Sequence, residues 1–99
     1  MAVMDVENRS AGRLVLWLEP LGEDFWLNPG ESVRILSDYR GEESPFTVVY
    51  WADEKDRAAG VENLTVSIDQ GDCRNTTVTD RSGTTLDCGH QRPDVGDTR

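Results

Sequence analysis

Apolar and polar residues alternate along most of this chain, and a two-residue period of this kind is compatible with strands and not with helices. Leu64, Val66 and Ile68, for example, alternate with Thr65 and Ser67. Side chains in a strand point alternately to its two faces, so each such segment is predicted to bury one face. Strands are predicted near 2–7, 13–19, 24–27, 32–37, 46–51, 62–68, 75–79 and 84–88. Short strands with regular turns are typical of a β-sandwich or a small barrel; we expect an all-β fold, a small antiparallel sandwich of about seven to eight strands.

Two segments between the strands have a recognisable local chemistry. Residues 28–31, Asn-Pro-Gly-Glu, suit a type II turn, because proline sets φ at the second position and glycine accepts a positive φ at the third. We expect this turn to join two antiparallel strands. Residues 53–60, DEKDRAAG, are the one candidate for a helical turn, and their polar composition favours a loop between two sheets.

The length of 99 residues predicts one domain with a single hydrophobic core. We assign residues 1–88 to the sandwich. Residues 89–99 contain Val95 as their one apolar residue and are predicted to form a flexible C-terminal tail.

The chain is acidic, with 19 Asp and Glu against 10 Lys and Arg and a net charge of -9. This charge repels phosphate backbones and argues against a nucleic-acid partner, while it suits high solubility or a basic protein partner. The first ten residues lack the basic start and apolar run of a signal peptide, and the apolar stretch 14–18 is too short to cross a bilayer. We therefore expect a cytoplasmic protein without a membrane partner. The use of arginine with a single lysine suggests a bacterial chain.

Two cysteines flank the predicted last hairpin, whose turn lies around residues 80–83. Cys73 and Cys88 would lie nearly opposite each other across this ribbon, in a register that allows a cross-strand disulfide. The alternative is a pair of reduced, partly buried thiols, as in most cytoplasmic proteins. Together with His90 they offer three zinc ligands, whereas a structural site needs four, so we expect neither metal nor cofactor.

Catalytic motifs are missing from the sequence. His90 is the only histidine and falls in the predicted tail, where it has no nucleophile to activate. No phosphate-binding glycine loop or serine nucleophile motif occurs, and the carboxylate pairs lie at strand ends and in loops. The sequence therefore predicts a protein that is not an enzyme.

All the aromatic residues lie between positions 17 and 51. Alternation places Leu14, Leu16 and Leu18 on one strand face and Trp17 on the other, and it separates Trp26 in the same way from Phe25 and Leu27. Trp51 likewise opposes Phe46. Only one face of each sheet enters the core of a sandwich, so some rings must be covered by loops, by another chain or by a ligand.

A third of the chain resembles a known module. The segments NRS (8–10), VLWL (15–18), GE (22–23), LNPG (27–30), RI (34–35) and YRG (39–41) follow the same order as in the β domain of the von Hippel-Lindau tumour suppressor family. The resemblance implies a β-sandwich that binds a hydroxyproline-bearing peptide. It further implies that Trp17 packs against the hydroxyproline ring, that Ser37 bonds its hydroxyl and that Tyr39 lies beside them. The sequence departs from the family where Glu42 replaces the histidine after YRG.

These observations lead to one main prediction and two alternatives. We predict a non-catalytic module that recognises a protein or peptide partner through an aromatic patch formed by Trp17, Trp26, Ser37 and Tyr39. The alternatives are a carbohydrate-binding module, in which tryptophans stack on sugar rings, and an acidic inhibitor or immunity-type protein that docks on a basic partner. The sequence leaves the oligomeric state open.

Overall fold

The computed structural model describes residues 1–93 and contains two β-sheets that pack face to face. A three-stranded sheet has the order β1-β4-β7, and a four-stranded sheet has the order β3-β2-β6-β5. The strands are β1 (Ala2–Glu7), β2 (Arg13–Glu19), β3 (Glu23–Leu27), β4 (Ser32–Ser37), β5 (Phe46–Trp51), β6 (Val61–Ile68) and β7 (Thr77–Asp80). The predicted small all-β sandwich is confirmed, with seven strands.

Strand pairing determines which strands lie at the edges. All neighbours run antiparallel except β2 and β6, which pair in parallel with Arg13 opposite Val61 and Glu19 opposite Ser67. This parallel pair forms the centre of the four-stranded sheet. Consequently β3 and β5 are its two edge strands.

The core lies between the sheets and is built from alternate residues of the strands other than β5, as the two-residue period predicts. The buried apolar cluster contains Val6, Leu14, Leu16, Leu18, Phe25, Leu27, Val33, Ile35, Val66, Ile68 and Val78. Every strand except β5 contributes at least one of these fully buried side chains. The residues between them face outward, which decides the position of the tryptophans described below.

The predicted turn at residues 28–31 has the expected geometry, but the strands that flank it belong to different sheets. Gly30 has a φ of 86°, and the Glu31 N–H donates to the Asn28 carbonyl at 3.0 Å, as a type II turn requires. However, the strands on either side, β3 and β4, belong to different sheets. The two strands that this turn joins are therefore not paired with each other, because the chain crosses here from one layer of the sandwich to the other.

The polar segment after β5 forms a short helix, α1 (Glu54–Ala58), where we had favoured a loop. A capping box explains the difference. The Asp53 side chain accepts a hydrogen bond from the Asp56 N–H at 2.8 Å, and the Asp56 side chain accepts one from the Asp53 N–H. No helix in residues 1–93 has the length and apolar character needed to cross a membrane.

The last hairpin is shorter than predicted, and its end takes an unexpected course. The turn forms at residues 80–83, and Thr85 makes a single bridge to Thr79, but no strand covers 84–88. Residues 89–92 instead bond to β3: the Gly89 N–H donates to the Asp24 carbonyl, and the Trp26 N–H donates to the His90 carbonyl at 2.8 Å. The start of the segment predicted as a flexible tail is therefore attached to the sandwich, and residues 94–99 lie outside the described part of the chain.

Candidate binding surface

All three tryptophans lie on the outer face of the four-stranded sheet. Trp26 on β3 pairs with Val15 on β2, Trp17 pairs with Thr65 on β6, and Trp51 on β5 pairs with Asn63 on β6. Residues opposite one another on neighbouring strands project to the same side, so these side chains share one surface. We call the surface formed by Trp17, Trp26, Trp51, Val15 and Val49 the tryptophan face.

Each indole N–H of the tryptophan face is held by a polar side chain of the same sheet. The acceptors are Asn63 Oδ1 for Trp17 at 3.0 Å, Asp24 Oδ2 for Trp26 at 2.9 Å and Thr65 Oγ1 for Trp51 at 2.9 Å. Such bonds restrict the rotamers of the rings. The tryptophan face is therefore ordered before any partner arrives, which lowers the entropy lost on binding.

Polar groups cover part of Trp17 and Trp26 on the tryptophan face. Asn63 is only 3% exposed, because its Nδ2 donates to Asp56 of α1 at 2.9 Å while its Oδ1 accepts from Trp17. At the other side, the Arg13 guanidinium lies 5.2 Å from the ring centroid of Trp26. Trp17 and Trp26 are consequently half-buried, and the open part of the tryptophan face lies towards β5.

β5 exposes apolar side chains on both of its faces. Val48 is 47% and Tyr50 57% exposed on the face that continues the core side of β6, while Val49 is 51% and Trp51 40% exposed on the outer face. The reason is geometric: the three-stranded sheet does not extend over β5, so only Phe46 at the start of the strand packs against the core. β5 is therefore an edge strand with exposed apolar side chains on both faces.

The backbone of β5 has a free side as well. The Asp69 N–H donates to the Pro45 carbonyl at 2.7 Å, which identifies the hydrogen-bonded register of the ladder with β6. Bonded residues alternate along an antiparallel ladder, so Thr47, Val49 and Trp51 bond to β6. The N–H and C=O groups of Val48 and Tyr50 thus point away from the sheet, and they have no hydrogen-bond partner within residues 1–93.

Asp24 is the most perturbed acid of the sheet and lies at the opposite edge. Hydrogen bonds, first from Arg92 and then from Trp26 and Cys88, lower the pKa of Asp24 from 3.8 to about 2. Arg92 Nε donates to Asp24 Oδ2 at 2.8 Å, and the carboxyl group is nearly buried. These contacts attach the C-terminal segment to β3; Asp24 is thus used for structure and is not available as a free acid.

The structure separates the four residues predicted to form an aromatic patch. Trp17 and Trp26 share the tryptophan face, but Ser37 on β4 belongs to the other sheet, points towards the interior and is 1% exposed. Tyr39 follows β4 and packs with its hydroxyl against Gly41. Trp17 and Ser37 thus lie on different sheets, Trp17 on an outer face and Ser37 in the interior.

Both cysteines are free thiols, so the predicted disulfide is not formed. Cys73 begins a 3₁₀ turn and packs against the core, whereas the Cys88 Sγ lies 3.7 Å from Asp24 Oδ1. The prediction fails because the chain leaves the hairpin after residue 86 and runs along β3, which removes Cys88 from the ribbon. Within the described part of the chain, no cluster of three His, Cys, Asp or Glu side chains could hold a metal ion.

A cavity of about 460 Å³ opens at the side of the sandwich away from β5. Its apolar lining residues are Leu27, Val33 and Leu86, and its polar lining includes Glu31, Arg81 and His90. Glu31 Oε1 already accepts hydrogen bonds from the Asn28 N–H at 2.6 Å and from Gln91 Nε2 at 2.7 Å. Glu31 is therefore committed to holding the turn and the C-terminal segment together. Asp80, which also lines the cavity, accepts hydrogen bonds from the Ser82 and Thr84 N–H groups.

Sequence reasoning missed the contribution of β5 to the exposed surface. The segment FTVVYW was assigned to a strand, and its apolar residues on both faces were noted, but nothing identified it as an edge. The available signal was the absence of any charged or polar outward position other than Thr47.

A search of protein families, of curated proteins and of solved structures finds no match to this chain.

Proposed function

We propose that this domain is a non-catalytic binding module that recognises a protein or peptide through the tryptophan face and β5. The observation that carries the proposal is the exposure of four adjacent apolar side chains on β5, Val48, Val49, Tyr50 and Trp51, each at least 40% exposed. Val49 and Trp51 continue the tryptophan face, while Val48 and Tyr50 lie on the other face of the same strand. Soluble domains rarely expose adjoining large apolar side chains, and where they do the patch commonly binds a partner. Aromatic rings at such sites bring contact area with little loss of conformational entropy.

A selection of random peptides displayed on phage tests this proposal directly. We expect the wild-type domain to enrich peptides that no longer bind after Trp51→Ala, because Trp51 belongs to both the tryptophan face and β5. Tyr39→Ala is the matched control, since it removes an aromatic ring from the loop that follows β4, outside the four-stranded sheet. Peptides that lose binding equally with both variants, or a selection that enriches none, would count against the proposal.

Carbohydrate binding is a second candidate, because three indoles on one sheet face are also a platform on which sugar rings can stack. The polar groups beside them are largely occupied: Asp24 is bonded to Trp26 and Arg92, and Asn63 to Trp17 and Asp56. Few remain to bond sugar hydroxyls, and this favours the protein or peptide partner. Tryptophan fluorescence titrated with a panel of oligosaccharides distinguishes the two, and a flat response across the panel would remove the sugar.

A further inference from the structure

The free side of β5 offers the backbone groups that a further strand would need. The N–H and C=O groups of Val48 and Tyr50 point outward, as derived above from the register with β6. The N–H of Phe46, which has the same orientation, is occupied by Ser44 Oγ at 3.2 Å. An extended chain placed beside Val48 and Tyr50 would continue the ladder of the four-stranded sheet.

The side chains of β5 indicate what the centre of such a chain must be. Val48 and Tyr50 lie on one face and Val49 and Trp51 on the other, all of them exposed. An added strand would set its alternate side chains against both rows. Its centre should therefore be apolar on both faces, which means a continuous run of β-branched or other apolar residues.

The charges around β5 indicate what the ends of that chain must be. Residues 42–54 contain four acids, Glu42 and Glu43 before the strand and Asp53 and Glu54 after it, with no Lys or Arg among them. Two further carboxylates bond to the strand itself, Asp69 to Thr47 and Glu62 to the Tyr50 hydroxyl at 2.7 Å. Both ends of β5 thus lie in a negative field, offset in part by basic residues of α1.

The same charges disfavour a second copy of this chain as the occupant. Antiparallel pairing of β5 with its own copy, in the register that sets Val48 opposite Val48, would place Glu42 and Glu43 of each chain near Asp53 and Glu54 of the other. Like charges opposed across a strand pair are destabilising. The acidic ends act here as the charged residues that commonly protect exposed edges from self-association.

We propose that β5 binds an extended peptide as a fifth strand of the four-stranded sheet, and that this peptide has an apolar centre flanked by Lys or Arg at both ends. This inference rests on the proposed function and specifies its partner. It assigns the affinity to backbone hydrogen bonds of Val48 and Tyr50, and the selectivity to the acidic residues at the ends of β5.

A synthetic peptide of sequence KRTVIVTVRK serves as the probe, and EDTVIVTVDE is its charge-reversed match. In fluorescence anisotropy titrations of the labelled peptides, we expect the basic peptide to bind at least about tenfold more tightly, with the difference shrinking as salt rises. Equal affinities would overturn the charge assignment, and no binding of KRTVIVTVRK would overturn the inference as a whole.

Amide hydrogen exchange followed by NMR locates the peptide. Without peptide, the Val48 and Tyr50 N–H groups should exchange fast and the Val49 N–H, bonded to β6, slowly. With KRTVIVTVRK at saturation, Val48 and Tyr50 should slow by at least about tenfold, while Val49 stays unchanged. Slow exchange of Val48 and Tyr50 already in the free protein would mean that the edge is occupied by something else, and the inference would fail.

Val48→Pro tests the same edge from the protein side. Proline removes the outward N–H and places its ring where an added strand would lie, yet it breaks no bond to β6. We expect it to abolish peptide binding, while Val48→Thr, which keeps the N–H, retains binding within about threefold. Circular dichroism shows whether Val48→Pro folds; the exchange experiment on the unaltered chain remains decisive if it does not.

Glu42→Lys measures the charge contribution, and Asp87→Lys is the matched control because it makes the same change beside β3, at the far edge of the sheet. We expect Glu42→Lys to lower the affinity for the basic peptide by about three- to tenfold and Asp87→Lys to have little effect on it. Equal losses of affinity would mean that the net charge of the domain sets the selectivity, and the assignment to the acidic ends of β5 would be overturned.

These outcomes separate the inference from the proposed function. If KRTVIVTVRK or a phage-selected peptide binds and shifts the indole signals of the tryptophans, but Val48 and Tyr50 exchange as before, the binding module stands and strand addition is wrong. If sedimentation shows a concentration-dependent dimer that Val48→Pro abolishes, a second copy occupies β5 and the inference is overturned.

Discussion

β3 and β5 are the two edge strands of one sheet, and each places a tryptophan on its outer face. The edge of β3 is covered: residues 89–92 bond to its backbone, and Arg92 pairs with Asp24. The edge of β5 has no such cover within the described residues. The two edges thus differ in cover. A partner would bury more apolar surface and form more backbone hydrogen bonds at β5 than at β3.

A third edge strand, β1, differs from β5 in the charge of its side chains. β1 is an edge strand of the other sheet, and it carries Asp5 and Glu7 on its outer face, with Asp5 bonded to Arg34. Charged side chains discourage further strand pairing. β5 has no charged residue from Phe46 to Trp51, so its protection from self-association depends on the acids at its ends.

The largest expected difference between the two edges is in core packing. Phe25 on β3 is 2% exposed and Tyr50 on β5 is 57% exposed. Phe25→Ala should lower the free energy of unfolding by about 3–5 kcal/mol because it leaves a cavity. Tyr50→Ala should lower it by less than about 1 kcal/mol, since surface changes have small effects. Urea unfolding followed by tryptophan fluorescence measures both, and similar losses would show that Tyr50 is covered in solution.

Asp24→Asn should weaken the covered edge by about 1–3 kcal/mol, because it removes the charge that Arg92 and the Trp26 indole hydrogen-bond. The pH dependence provides the sharper test. Since the pKa of Asp24 is lowered from 3.8 to about 2, its stabilisation is fully present above pH 4 and is lost as the pH falls towards 2.

We therefore expect the unfolding free energy of wild type to fall more steeply between pH 4 and pH 2 than that of Asp24→Asn. Asp5, Asp72 and Asp80 also have lowered pKa values, each through hydrogen bonds to neighbouring side chains, and they add the same background slope to both proteins. Parallel curves for the two proteins would contradict the role assigned to Asp24.

Arg92→Ala should open the β3 edge at a smaller cost, about 1 kcal/mol, because the arginine side chain is half-exposed and its ion pair is screened. The Trp26 N–H, which donates to the His90 carbonyl, should then exchange faster. Arg34→Ala is the control, as it removes an exposed pair with Asp5 and holds no segment in place. Unchanged exchange at Trp26 would show that the backbone bonds suffice to keep β3 covered.

The smallest effect is expected for Val48→Lys, which should change the unfolding free energy by less than about 0.5 kcal/mol because the side chain is 47% exposed at a strand edge. Thermal unfolding measures it. A large destabilisation would mean that β5 is buried against a partner or another copy in the purified protein.

Most of the fold could be predicted from local pattern. The bounds of β1 to β6 follow from alternation, and the outward position of Trp17, Trp26 and Trp51 follows from the same period. Alternation with Val33 and Ile35 also places Ser37 on the core side of β4, where the structure buries it. The strand predicted at 84–88 does not form, because only Thr85 makes a bridge to β7 and the chain then runs along β3.

The sequence by itself determined which residues form strands, which side of each strand is apolar and where the chain turns, because these depend on neighbours within a few positions. The tertiary structure decided which strands pair, that β2 and β6 run parallel, and that both faces of β5 stay exposed. Pairing depends on contacts between distant segments, which a local period does not encode. The exposure of β5, and with it the proposed binding edge, is therefore a property of how the two sheets overlap.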